Sequence, residues 1–574
     1  MKIISLLVVC LIASFAFAND AKPSKANAGW DKLADDFLSQ IYYRFNPTSA
    51  TSDGLHEYDA RLEGYSKADV DQRIAAMKSF KTKVEAIDSK SLDYDRQVDR
   101  DLVLGYINSR LLSLEDIRGW EKNPDPYQSN ITNSIFVIMA RNYAPQAERL
   151  KAVIAREKQM PAVFAAARTN LKNPPKIYTE IALQQTPGIV SFFQKDVPLA
   201  FNEVKDPKLL GQFKSSNAAV IAALNDYQKW MKEDLLPRSN GSFAIGADNY
   251  RKKLSYDEGV DIPLDRLLEI GMADLRKNQE WFKETARQID PSRDPQEILK
   301  DMQRDHPEPA KLLKAYDDLL GGLRSYIEEH KIMTIPSNDH PTMEETPPFE
   351  RATTFASMDA PGPFEKVAKE SYFNVTLPEP TWSKEEVEEH MAGNSRPVML
   401  AVAVHEVWPG HFMQHLWTPL LPTKIRKVLG ANTSVEGWAH YTEQMMLDEH
   451  VAKDDPKMRL GQLQDALLRN ARYIVGIKMH TQGMTTAEAV DFFVKEGYQT
   501  HSIGDRETKR GTADPTYLVY TLGKLQIMKL REDYKAKMGD KFSLQEFHDK
   551  FMKHGFVPIK QVRRDMLGDD SPVL

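Results

Sequence analysis

From Trp30 to about Ile332, apolar residues recur at intervals of three and four, the spacing of one buried helix face. The segments DKLADDFLSQIYYRF, VDQRIAAMKSFKTKVEAI, YDRQVDRDLVLGYINSRLLSL and AERLKAVIAREKQMPAVFAAARTNL all carry it. Pro47, Pro124, Pro126, Pro174, Pro175 and Pro187 punctuate the run and are read as helix boundaries. No internal repeat of fixed period is present. The pattern changes over residues 333–384, where eight prolines fall between Pro336 and Pro380 and the segments ERATTFASM and SYFNVTL alternate or are β-branched. This predicts loops carrying one or two short strands. They form either a connection between lobes or a small sheet beside an active site, whose edge can hydrogen-bond an extended peptide. Helical spacing resumes at KEEVEEHMAG and continues almost to the end, with RPVMLAVAV suited to a buried helix. The expected fold is mainly α, with many helices in two lobes and a small β element near residues 350–380. An N-terminal helical lobe (19–332), a Pro-rich connection (333–384) and a C-terminal helical lobe (385–574) make up the expected domains.

A length of 574 residues agrees with more than one core. Composition is that of a globular protein, 41% hydrophobic and 28% charged, and the net charge of −6 gives no electrostatic reason to expect nucleic acid or anionic membrane as a partner. The basic stretch Lys560-Gln-Val-Arg563-Arg564 reads as solvated surface. Residues 1–18, MKIISLLVVCLIASFAFA, read as a signal peptide: Lys2, an apolar run, then the small-x-small pattern Ala16-Phe17-Ala18. No later apolar stretch reaches the ~18 residues of a membrane span. Cleavage would remove one lysine, taking the charge to −7, and the single cysteine, Cys10. A lipid anchor on Cys10 is disfavoured because Val8-Val9, not small residues, precede it. An exported chain without disulfides fits a Gram-negative periplasm, and any metal must be held by nitrogen and oxygen.

Chemistry concentrates in HEVWPGH, His405 to His411. In the familiar H-E-x-x-H the histidines stand four apart, only ~40° from each other around a helix; six apart they are ~120° and ~9 Å separated. Pro409 lacks the N–H that would bond to the carbonyl of His405, and Gly410 is free to take unusual conformations, so a two-residue Pro-Gly bulge is expected to return His411 to the face of His405. His411 with His415, four apart, is an alternative pair, but it lacks the adjacent carboxylate and leaves Glu406 idle. Ordinary helix histidines with polar partners are the plain alternative. A hydrolytic zinc takes three protein ligands and keeps a position for water. The third is sought in VEGWAHYTEQMMLDEH, where Glu436, His440 and Glu443 form one stripe beginning 25 residues after His411. The order of preference is Glu436, Glu443, His440, the others serving to orient the ligands. Trp438, Met445 and Met446 mark this helix as partly buried.

HEVWPGHFMQ, EGWAHYTEQMMLDE, DPTYLVYTLGKLQIMKLRE and the N-terminal FNPTSATSDGLHEYDARL resemble the bacterial family catalogued as domain of unknown function 885. That family looks like a distant relative of helical zinc peptidases with a glutamate third ligand, the group of angiotensin-converting enzyme, the thimet oligopeptidases and carboxypeptidase Taq. The resemblance implies a zincin-like (gluzincin-like) fold with a deep cleft. It implies His405, His411 and Glu436 as ligands of one Zn2+ and Glu406 as general base. The Pro-Gly expansion is this chain's departure from those peptidases. A nitrogen and carboxylate set also accepts manganese, cobalt or iron.

A tetrahedral oxyanion needs a donor. Tyr520, then Tyr517, in DPTYLVYTLGK are the candidates, helical relatives using a tyrosine or histidine downstream of the metal motif; core packing is the plain alternative. Arg506 and Arg510, four apart, would suit a substrate carboxylate or a surface salt bridge. The expected activity is an exported zinc metallopeptidase on short peptides. Alternatives are a zinc amidohydrolase acting on another amide, or a non-catalytic periplasmic binding protein with a structural metal.

Overall fold

The computed structural model describes residues 24–346, 351 and 355–574, so the expected signal peptide and Cys10 lie outside the described residues. Helices dominate from Lys25 to Leu567. Their starts follow local chemistry. Ser66 and Asp69 form a reciprocal capping box at α1 (Lys67–Glu85), and the Asp93 side chain caps α2 (Tyr94–Leu111). α3 (Pro126–Met139) opens on a proline, whose missing N–H costs nothing there. Pro187 departs from the reading as a boundary: it sits inside the helix Lys176–Ser191, whose buried face of Tyr178, Thr179, Ala182 and Thr186 holds the turn together despite one lost N–H.

α4 (Leu264–Ile289) and α5 (Leu312–Glu329) lead into a three-stranded sheet of order β1-β3-β2. β1 (Thr342–Glu345) runs parallel to β3 (Tyr372–Val375), Thr342 opposite Tyr372, and β2 (Ala356–Asp359) runs antiparallel to it, Asp359 opposite Tyr372. ERATTFASM and SYFNVTL supply β2 and β3. The third strand, Thr-Met-Glu-Glu, has no strand-like alternation and owes its state to pairing with β3. Phe373 and Val375 of β3 enter the core. β2, an edge strand, packs against α6 (Arg396–Glu406), the helix that presents His405, which places the sheet beside that helix.

After α6 come α7 (His411–Trp417), α8 (Asn432–Asp448), α9 (Pro456–Thr481), α10 (His501–Ala513) and α11 (Val519–Met538). The apolar cores cross the expected linear divisions. One core joins Trp30, Phe37, Phe80 and Ile107 to Tyr316, Phe373, Trp408, Trp438 and Phe551. A second is built from residues 127–235. In the third, α4 lies along α9, with Leu275 and Phe282 against Leu463 and Ile474, and Gly271 lets the Tyr473 ring approach where a Cβ would sit 2.5 Å from it. α8 and α11 also cross closely, glycine on glycine, at Gly437 and Gly523. No described helix is long and apolar enough to cross a membrane.

Several buried carboxyls set a pH dependence. Burial raises Asp99, Glu157 and Glu258 to about 7, outweighing the hydrogen bonds each accepts. A carboxyl whose pKa is higher folded than unfolded binds more protons when folded, so its contribution falls as pH rises from the unfolded value to about 7. Glu443 is the opposite case: burial alone would raise it, but Arg469, His440 and His405 together hold it well below its usual value, so its stabilisation is lost on acidification. The melting temperature is therefore expected to peak at mildly acid pH and to fall by a few degrees towards pH ~8. Differential scanning fluorimetry across that range checks it; a rise from pH ~5 to ~8 would contradict the assignment.

Candidate metal centre

α6 ends at Glu406. The N–H groups of Val407 and Trp408 both reach the Ala403 carbonyl (3.0 and 3.1 Å), the Trp408–Pro409 peptide is cis, and α7 begins at His411. The expected bulge within one helix is corrected to two helices, one stopping and the next starting. Pro409 has no N–H for the His405 carbonyl, and that carbonyl is instead covered by Gly410. A Cβ on Gly410 would lie 1.8 Å from the His405 oxygen and 2.4 Å from that of Val404. Its φ of −76° is open to any residue, so glycine is required here for space, not for handedness. The indole N–H of buried Trp438 donates to the Pro409 carbonyl (2.8 Å) and ties this junction to α8.

The two imidazoles converge across the junction. His405, His411 and Glu436 each offer a ligand atom, all within 4.8 Å of one another, and no other such group is found among the described residues. Glu436 Oε2 lies 3.5 Å from His405 Nε2 and 3.4 Å from His411 Nε2, and the rings stand at 88° with centroids 4.9 Å apart. Their other nitrogens are held from behind. His405 Nδ1 is 2.7 Å from Glu443 Oε1, and His411 Nδ1 is 2.9 Å from Gln414 Oε1. The Gln414 amide nitrogen faces the carbonyls of Ser434 and Val435, both at 3.2 Å, so its oxygen must face His411. In the neutral form of both histidines Nδ1–H is then the donor and Nε2 carries the lone pair towards the centre, the tautomer a divalent cation needs once it displaces the proton. Two imidazole nitrogens and one carboxylate fit a zinc-like ion with a position left open.

Electrostatics agree with a site that attracts positive charge. Burial disfavours a charged His405, yet Glu436 and Glu443 outweigh it and raise its pKa to about 9; Glu436 also raises His411 against the same burial. Burial would raise Glu436, but the two histidines hold it well below the usual carboxylate range. A cation entering the site competes with these protons.

The other expected residues divide. Glu406, the last residue of α6, is half-buried, and its charge is felt by His411 and by buried Tyr316. Glu443 and His440 stand behind the ligands. Glu443 accepts from His405, His440 (3.1 Å) and Arg469 (2.9 Å) and has no side-chain exposure. His415 is outside the three-donor group and exposed on α7. Tyr520 lies one layer further out, its ring under Arg469 and Arg472 and its hydroxyl accepting from Arg510 (3.1 Å). The structure does not bring Tyr517 to the centre. Its hydroxyl is buried without a partner beside Gly511 and Met479, in a small apolar core with Val475 and Phe493. Arg510 is engaged by Tyr520 and Asp514, and Arg506 is exposed on α10, so the two do not form a matched clamp. Gln414, Arg469 and half-buried Asp465 went unread in the sequence. Only Gln414 left a signal there, three residues after His411 on the same helix face.

Against known proteins, residues 47–566 match the profile described as "Bacterial protein of unknown function (DUF885)". The chain belongs to this family. Two solved structures share the DUF885 chain's fold. One, from Shewanella oneidensis, is described as "a putative lipoprotein of unknown function"; it is 25% identical with a TM-score of 0.80, and the match covers 94% of this chain and 99% of that one. The other, "the putative lipoprotein from Colwellia psychrerythraea", is 19% identical with a TM-score of 0.79, covering 94% and 98%. No curated protein matches the chain.

Proposed function

We propose that this DUF885 protein is an exported, zinc-dependent peptidase that hydrolyses short peptides. The observation that carries the reading is the convergence of His405 Nε2, His411 Nε2 and Glu436 Oε2, with both Nδ1 atoms anchored by Glu443 and Gln414. A structural zinc site is closed by four protein ligands, whereas this one has three, and Glu436 keeps 26% of its side chain exposed. That favours a hydrolytic centre over a purely structural one. When bound, zinc supplies a Lewis acid for an amide carbonyl and makes water acidic near neutral pH. Glu406, next to His405, is the residue placed to take the proton of the attacking water and to return it to the leaving amine. Tyr520, backed by Arg469, Arg472 and Arg510, is the remaining candidate for the oxyanion. The edge strand β2 beside α6 supports an extended peptide substrate over other amides, since among the described residues no strand pairs with its outer side.

Export is supported by the reading of residues 1–18 and by the description of both structural neighbours as lipoproteins. That description reopens Cys10, disfavoured on sequence grounds, as a lipid-attachment site.

The test is metal analysis of the purified protein joined to mass spectrometry of a mixed peptide library. The expected outcome is about one zinc per chain and shortened peptides, with cleavage abolished by 1,10-phenanthroline and restored by zinc. Cleavage indifferent to chelation, or intact peptides with a fully loaded protein, would refute the reading.

A further inference from the structure

Arg73 on α1 and Arg110 at the end of α2 line one half-open cavity of about 620 Å³, together with Tyr65, Asn130 on α3 and the chain around Thr512. The charges on its wall are unequal. Arg73, Arg110, Lys122 and Lys253 face Glu63 alone, in a chain whose net charge is −6. Two of these charges are already answered: Lys253 pairs with Asp257 (2.6 Å), and Glu63 accepts from the Thr48 amide and hydroxyl (2.9 and 3.0 Å). The arginines are not. Among the described residues neither guanidinium has a carboxylate within 4.0 Å. Arg73 gives one N–H to the Phe45 carbonyl (3.2 Å) and lies over the Phe45 ring, while its buried Nε has no partner. Arg110 is exposed and lies over the Tyr106 ring, and Tyr106, with Tyr42 and Asp257, raises its pKa against the effect of burial. Burial, and to a smaller degree the charge of Arg110, lowers the pKa of Arg73, so the two cations sense each other.

The cavity adjoins a second one. It shares Thr48, Ser49 and Asn133 with a recess of about 330 Å³ that Arg141 and Asp359 line. Asp359 is the last residue of β2, the strand packed on α6, and its carboxylate accepts from Arg141 (2.6 Å). The arginine-lined cavity thus reaches, through that recess, the end of the strand packed on the helix of His405. Planar guanidinium forks that lack a carboxylate within the protein are matched by one on a ligand.

We propose that Arg73 and Arg110 form a subsite for a substrate carboxylate, anchoring one end of the chain whose amide lies at the metal centre. The identity of that substrate as a peptide rests on the function proposed above. The carboxylate is a free C-terminus or an acidic side chain, and the test separates the two. Binding of tetra-alanine, of its C-terminal amide and of Ala-Ala-Glu-Ala amide is measured by calorimetry on the Glu406→Gln protein, with and without Arg110→Met. Tetra-alanine is expected to bind about 30-fold more tightly than its amide, and Arg110→Met to abolish the difference without weakening the amide. Arg110→Lys should restore part of it, and unchanged melting temperatures exclude a folding defect. If the glutamate-containing amide binds more tightly than the simple amide, an acidic side chain serves as an anchor; if it matches the simple amide, only the C-terminus does. Equal affinities for all three ligands, or a preference that survives Arg110→Met, overturn the subsite. Cleavage by the parent protein is read separately. An Arg110-dependent preference without cleavage keeps the subsite and removes the peptidase, whereas cleavage without preference does the reverse.

Discussion

Glu406→Gln is expected to lower peptide turnover by roughly a hundred- to ten-thousand-fold while the protein keeps its metal and its KM. The reasons are positional. Glu406 follows His405 directly at the end of α6 but is not one of the three converging groups, so its loss removes no ligand. Glutamine keeps the volume and the hydrogen-bonding capacity of the side chain and loses only its basicity. A residue that merely packed would tolerate that change. A residue that takes the proton from water would fail in kcat, because its interaction develops in the transition state. The same change at Glu436 should behave differently, lowering metal content first and activity as a consequence. Measuring kcat, KM and bound metal on both variants separates the roles. Turnover of Glu406→Gln within a few-fold of the parent would remove Glu406 from the mechanism.

The parts of this site that could be read from the sequence are those fixed by local spacing. His405, Glu406, Pro409 and His411 announce themselves within seven residues, and Glu436 stands at the head of a polar stripe on an otherwise buried helix. The helical character of the chain was equally legible, because a buried helix face repeats every three or four residues whatever it packs against. What could not be read depends on distant segments meeting. β1 is a strand because β3 lies beside it, and nothing in Thr-Met-Glu-Glu requires it. Tyr517 and Tyr520 are three apart in one apolar stretch, yet one turns into the core around Met479 and the other under Arg469 and Arg472. Arg73 and Arg110 share a cavity although 37 positions separate them, and Arg506 and Arg510, neighbours on one helix, turn out to have separate surroundings. Nor does the sequence show that Trp30 and Phe551, near opposite ends of the chain, belong to one core.

The junction between α6 and α7 leads to the second large expected effect, that of Gly410→Ala. One added methyl group would place a carbon 1.8 Å from the His405 carbonyl and 2.4 Å from that of Val404, inside the contact distance of any atoms. Both obstacles are backbone atoms, so no side-chain rotation relieves them. Either α6 or α7 must move, and each carries one of the imidazoles. Trp438, bonded to the Pro409 carbonyl, resists the shift from the side of Glu436, so a displacement of the junction would separate all three donors. The expected cost is about 3 kcal/mol or more in stability, together with zinc affinity reduced at least about a hundredfold and activity to match. Gly322→Ala, inside α5 with open space where its Cβ would go, is the control, and should be neutral or stabilising by up to ~1 kcal/mol. Melting curves and competitive zinc titration distinguish the two sites. A Gly410→Ala protein that binds zinc like the parent would show that the imidazoles do not depend on the close backbone contact on which their convergence is argued.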